Sequence, residues 1–203
     1  MARLSPNAAE VVLVRHGETD WNVQRRLQGQ DLSVPGINES GRLQAQAVRS
    51  YRAVPQSPSH HASRPHDACT LDLALMAVRA QLAKHFVEDR ELGSRLDAVY
   101  SSDLARAAET AQIIAQALGL PEGRSEALRE RHLGLLQGLT TEEAAVLQPA
   151  ALEALRYAPD DVPIPGGGES VTGMQERAVR AVEEIAARHP GARLLGLERR
   201  AMG

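Results

Sequence analysis

Residues 11–14 read Val-Val-Leu-Val, and the chain passes from them directly into Arg15, His16 and Gly17. A run this short and this apolar, mostly β-branched, has no polar face to turn toward water. It predicts a strand buried on both sides, as in a parallel sheet. Ligands of open α/β sheets collect at the carboxyl ends of such strands. A guanidinium, an imidazole and a glycine placed there describe a site for an anion.

Composition narrows the classes that remain. At 203 residues the chain can build one α/β domain with a sizeable core, and two domains would be cramped. A net charge of -3 with 24% charged residues supplies no field toward nucleic acid or anionic membrane. Aromatics at 2% argue against base-stacking surfaces. Cys69 is the single cysteine, so no internal disulfide forms and a reducing compartment fits. No apolar run reaches the ~20 residues of a membrane span, and residues 1–10 hold no signal-peptide core. The expectation is a cytoplasmic domain.

The rest of the chain alternates strand-like and helix-like segments. Residues 41–48 predict a helix after a turn-like stretch. Residues 50–70 carry Pro55, Pro58 and Pro65 among serines and histidines, without periodicity, and predict a long loop. Residues 71–89 predict a helix from the spacing of Leu71, Leu75, Val78, Leu82 and Phe86. The stretch LDAVYSS predicts a second strand, followed by a helix opened by Asp103 and closed by Gly119. A short strand is expected around residues 127–128, then one helix from TEEAAVLQPAALEALR. The turn PIPGGGES leads to a last helix at 174–189, stopped by Pro190 and Gly191, and ARLLGL begins a strand. The alternation gives an α/β class with a mostly parallel sheet.

Three stretches carry chemistry: RHGETDWNVQRRLQGQ after the first strand, Arg106 in the first turn of the helix after VYSS, and Glu130 within LRERHLGLLQGLT. Arg106 and the helix N-terminus together favour an anion at the sheet's carboxyl edge. A neutral imidazole flanked by arginines can attack phosphorus while the arginines hold the nonbridging oxygens. A nearby carboxyl group can protonate the leaving alkoxide. GGGES lacks the lysine of a phosphate-binding P-loop and follows Pro165, so it reads as a turn. His60, His61, His66 and Cys69 match no common zinc spacing, and neither a metal nor another cofactor is expected.

The stretches VVLVRHGETDWN, VYSSDLARAAETA, LRERHLGLLQGL and IPGGGES, in this order, resemble the histidine phosphatase superfamily in its phosphoglycerate mutase-like branch. The match is to the plant-type phosphoglycerate mutase-like phosphatases, over residues 11–48 and 96 to about 193. The resemblance implies a three-layer α/β/α sandwich forming a single domain over residues 1–203, with residues 50–95 inserted. It implies that His16 is phosphorylated during turnover and that Glu130 is the proton donor and acceptor. Arg15 and Arg106 become phosphate ligands, and Asn22, Gln28 and Gly29 line the same pocket.

By the resemblance, the activity is hydrolysis of a small phosphorylated metabolite, with no nucleic-acid or membrane partner and with a homo-oligomer left open. A phosphoglycerate mutase is the alternative enzyme. Mutases of the family carry a base-rich segment where this chain has Arg156 as its only basic residue between Thr140 and Pro165. A second alternative comes from the far end. Where the family has a strand closing on a Thr-His-Gly motif, this sequence reads GLERRAMG. The expectation is a truncated end and a catalytically impaired isoform without the second histidine.

Overall fold

The computed structural model describes residues 9–50 and 96–197. Over these residues the elements run β1 (Glu10–Val14), α1 (Asp20–Val23), α2 (Glu39–Ser50), β2 (Ala98–Ser101), α3 (Ala105–Leu118) and β3 (Glu122–Arg124). They continue with α4 (Thr141–Leu147), α5 (Pro149–Tyr157), α6 (Val171–Arg188) and β4 (Arg193–Leu197). The loop expected at 50–70, the helix at 71–89 and the proposed insertion lie outside the described residues, except for Ser50, which ends α2. So do His60, His61, His66 and Cys69.

All described strands are parallel, in the order β1-β4-β2-β3. Helix direction follows from that order. The connection from β2 to β3 through α3 runs outward, whereas the one from β3 through α6 to β4 returns inward. Right-handed crossovers then place α3 and α6 on opposite faces of the sheet. The side chains confirm it. Val14, Val99 and Leu195 pack with Ile37, Ala45, Ala111, Ile114 and Leu118 on the α2–α3 face. Val11, Ala98, Tyr100 and Leu194 pack with Ala181 and Ile185 of α6 on the other. Val99 and Leu195 are fully buried, and each such side chain contributes about 1.5–3 kcal/mol on leaving water. This is the three-layer α/β/α arrangement. A separate apolar cluster of Leu133, Leu136, Ala144, Ala151, Leu152 and Ile164 forms under α4 and α5.

Several boundaries differ from expectation. The short strand lies at Glu122–Arg124, not at 127–128, because β3 has a partner only along Val99–Ser101. Beyond it Ser125 turns the chain, its hydroxyl accepting from the Ala127 amide at 3.3 Å. Glu126–Leu128 becomes a 3-10 turn, and its apolar Leu128 is buried against α6 rather than extended. The expected single helix over 141–156 breaks at Gln148, since Pro149 disfavours helical backbone before it and starts α5 instead. The last helix begins at Val171, where the Ser170 hydroxyl accepts from the Gly173 amide at 3.0 Å. Gly119 closes α3 in the left-handed conformation as expected, with φ 66°. Asp103 does not cap that helix. Leu104 occupies the N-cap, and Asp103 forms a two-pronged ion pair with Arg129.

Candidate active site

His16 lies two residues beyond β1, at the carboxyl edge of the sheet, and is 7% exposed. Its Nδ1 is 2.7 Å from the Gly17 carbonyl oxygen. A carbonyl only accepts, so Nδ1 carries the proton and the lone pair of the neutral ring sits on Nε2. The Gly17 amide donates to Thr110 Oγ1 at 3.0 Å, and Thr110 Oγ1 donates to the Arg106 carbonyl at 2.7 Å. The loop that carries His16 is thereby tied to the first turns of α3.

Arg106 is 2% exposed, and a buried guanidinium must be matched by acceptors. Its Nη2 donates to Glu130 Oε2 at 2.8 Å and to the Gly29 carbonyl at 2.7 Å. The N-terminus of α3 adds its own partial positive charge and has neither a side-chain cap nor an acidic residue in its first turn. Cation and helix end both favour an anion, and the Glu130 carboxyl, 24 positions along the chain, offers Arg106 an acceptor.

The stretch from Thr19 to Gly29 lines the same edge. Thr19 and Asn22 form a capping box: Asn22 Oδ1 accepts from the Thr19 amide at 3.0 Å, and Thr19 Oγ1 from the Asn22 amide at 3.1 Å. Gln28, 2% exposed, donates through Nε2 to Thr19 Oγ1 at 2.9 Å. Its Oε1 is buried without a hydrogen-bond partner, an acceptor whose desolvation cost would be offset by a donor from a ligand. Gly29 needs its residue type: φ is +52°, and a Cβ there would lie 2.4 Å from Gln137 Oε1. That oxygen is not free to move, because it accepts from the Gln30 and Leu133 amides.

Among the residues singled out from sequence, Arg106 bonds directly to both Gly29 and Glu130. Asn22 and Gln28 meet at Thr19, and His16 joins Arg106 through Gly17 and Thr110. Arg15 is exposed just past β1. Residues behind Glu130 were not singled out. Glu169, from the GES turn, accepts from Arg177, from Gln30 and from the His132 amide. Burial works to raise the Glu169 carboxyl, but Arg177 and the His132 amide outweigh it and hold it below the ordinary range. The sequence also repeats a tripeptide here. Leu27-Gln28-Gly29 and Leu136-Gln137-Gly138 lie against each other, the Gly138 amide donating to the Leu27 carbonyl at 2.8 Å.

Among the described residues, no group of three or more His, Cys, Asp or Glu could hold a metal. No described helix is long and apolar enough to cross a membrane.

The chain matches the histidine phosphatase superfamily (branch 1) over residues 11–63 and 72–196. It is 39% identical over 188 residues to phosphoglycerate mutase-like protein 4 of Arabidopsis thaliana, covering 92% of this chain and 64% of that protein. It is 37% identical to a metal-independent phosphoserine phosphatase of the same plant, over 95% of this chain and 65% of the relative. The chain thus spans just under two thirds of the length of these relatives. Among solved structures, YhfR of Bacillus stearothermophilus superposes with a TM-score of 0.65 at 29% identity, over 96% of this chain and 75% of that one. A mycobacterial glucosyl-3-phosphoglycerate phosphatase bound to VO3 does so with a TM-score of 0.62 at 28% identity, over 92% and 73%.

Proposed function

The chain belongs to the histidine phosphatase superfamily, and from that membership we propose that it hydrolyses small phosphomonoesters through a phosphohistidine at His16. The observation that carries the reading is the buried Arg106, which holds Glu130 and Gly29 on the helix that also anchors the His16 loop. Nucleophile, cation and carboxyl group converge on one strand edge.

The chemistry follows from the groups present. Nε2 of His16 attacks phosphorus and displaces the alkoxide, forming an N–P bond as the P–O bond breaks. Arg15 and Arg106 neutralise the nonbridging oxygens, with the α3 N-terminus adding its dipole. Asn22, Gln28 and the Gly29 segment contact the same phosphoryl group. Glu130 gives its proton to the leaving oxygen, then takes one from the water that cleaves the N–P bond. His16 is regenerated with its Nδ1–H still donating to the Gly17 carbonyl. The phosphoserine and glucosyl-3-phosphoglycerate phosphatases among the relatives support hydrolysis of small metabolites.

The test is phosphate release from O-phosphoserine, 3-phosphoglycerate and p-nitrophenyl phosphate by the wild type and by His16→Ala. The reading expects release by the wild type and none above background by the variant. Near-normal turnover by His16→Ala contradicts the mechanism. Isomerisation of 3-phosphoglycerate without net phosphate release contradicts hydrolysis and identifies a mutase.

A further inference from the structure

Between the 3-10 turn at Glu126–Leu128 and Gly134 the chain belongs to neither helix nor strand, yet it carries Glu130. Its carbonyls therefore need partners from elsewhere. One side chain serves two of them, together with the Ala127 carbonyl of the turn. Arg177 Nη1 donates to the Ala127 carbonyl at 2.8 Å and to the Arg129 carbonyl at 2.9 Å, while Nη2 reaches the Glu130 carbonyl at 3.4 Å. The Arg177 fork is fixed in turn by Glu169, through Nε to Oε1 at 2.9 Å and Nη2 to Oε2 at 2.8 Å. Glu169 Oε2 also accepts from the His132 amide at 2.9 Å. Gln30 Nε2 closes the cage, donating to the Glu130 carbonyl at 2.8 Å and to Glu169 Oε2 at 3.1 Å.

The main chain of Glu130 is thus clamped on both sides, by α6 and by the residue following Gly29. The Glu130 carboxyl is not part of the clamp and points instead to Arg106. A long, planar, five-donor guanidinium suits holding several carbonyls at once, which a lysine ammonium cannot reproduce.

We infer that Glu169, Arg177 and Gln30 are positioning residues for the proton transfer of Glu130, holding its backbone so that its carboxyl meets the leaving oxygen. The inference rests on the proposed role of Glu130. Misplacement of a catalytic group by about 1 Å from a distant change can cost ~10²-fold. Such a loss falls where the acid matters: on alkyl phosphates, whose alkoxide needs a proton, and far less on p-nitrophenyl phosphate, whose nitrophenolate does not.

The experiment compares kcat and KM for O-phosphoserine and p-nitrophenyl phosphate in the wild type, Glu130→Gln, Arg177→Met, Arg177→Lys and Gln30→Met. Arg177→Met is expected to lose ~10²-fold in kcat on O-phosphoserine, at least ~10-fold more than on p-nitrophenyl phosphate, with KM little changed. Arg177→Lys is expected to recover only part of it. Gln30→Met, which removes two bonds and keeps the helix intact, shows the same bias at smaller size and decides the matter if Arg177→Met does not fold. Equal losses on both substrates in Arg177→Met and Gln30→Met, with the bias present in Glu130→Gln, overturn the positioning role alone. Absence of the bias in Glu130→Gln overturns the role of Glu130, and the positioning inference falls with it.

Discussion

Gly17 shows how tightly the site is built around single atoms. A Cβ on Gly17 would sit 2.6 Å from the Gly41 carbonyl oxygen and 2.9 Å from its Cα. Gly41 is equally closed, since its own Cβ would lie 2.3 Å from the Glu18 carbonyl. The atoms that face Gly17 are backbone at the start of α2, which cannot swing aside as a side chain could. Gly17→Ala must therefore push the His16 loop away from α2, and it breaks the geometry that sets the Nδ1 bond and the amide bond to Thr110. Overpacking of this kind costs about 1–3 kcal/mol. The expected result is a lower thermal midpoint together with a loss of kcat well beyond what the unfolded fraction explains. A variant that folds and turns over normally would show that the approach relaxes without moving His16.

The helices divide into those placed by their own caps and those placed by packing. Ser170 caps α6, the 18-residue helix that carries Arg177. Ser170→Ala should cost about 1 kcal/mol, which for a domain of this size lowers the midpoint by about 2–4 °C. Because the cap lies on the exposed start of the helix, the ratio of turnover on alkyl and nitrophenyl phosphates should stay unchanged. A shifted ratio would mean that α6 moves as a unit when its first turn frays.

This contrast between local and distant causes also decides what could be read from sequence. The β1 run and the Gly119 stop carry their reasons within a few residues, so strand, helix end and class were legible. Arg15, His16, Arg106 and Glu130 stood out because each follows an element boundary. The position of β3 did not, since it depends on where β2 ends, and Ala127–Leu128 looks equally apolar either way. Asp103 looked like a cap but is claimed by Arg129, 26 positions away. The Arg177–Glu169–Gln30 cage joins residues up to 139 positions apart, and no periodicity encodes that.

The folded chain draws the site from four separate stretches, so its integrity depends on charges that meet only in the native state. Asp103 and Glu169 are two of them. The Arg129 hydrogen bond is the main cause holding the Asp103 carboxyl low, and Arg177 with the His132 amide does so for Glu169 against its burial. A carboxylate whose folded value is depressed contributes stability above its unfolded value and loses it as pH falls through the folded one. For Glu169 the loss begins near its ordinary value of 4.5 and continues below it. Thermal midpoints measured from pH 7 downward should fall less steeply in Glu169→Gln than in the wild type. Parallel curves would mean that Glu169 gains no charge-dependent stabilisation from its partners.

The nucleophile we propose is the imidazole of His16, whose Nδ1–H donates to the Gly17 carbonyl and leaves the lone pair on Nε2. The direct measurement is to mix the protein with p-nitrophenyl phosphate, quench in alkali within the first turnovers, and locate phosphate by peptide mass spectrometry. The account predicts a phosphoryl group on His16, stable in alkali and lost in acid as a phosphoramidate is, and absent from His16→Ala. Steady phosphate release with His16 unmodified, or with the label on another residue, would contradict it.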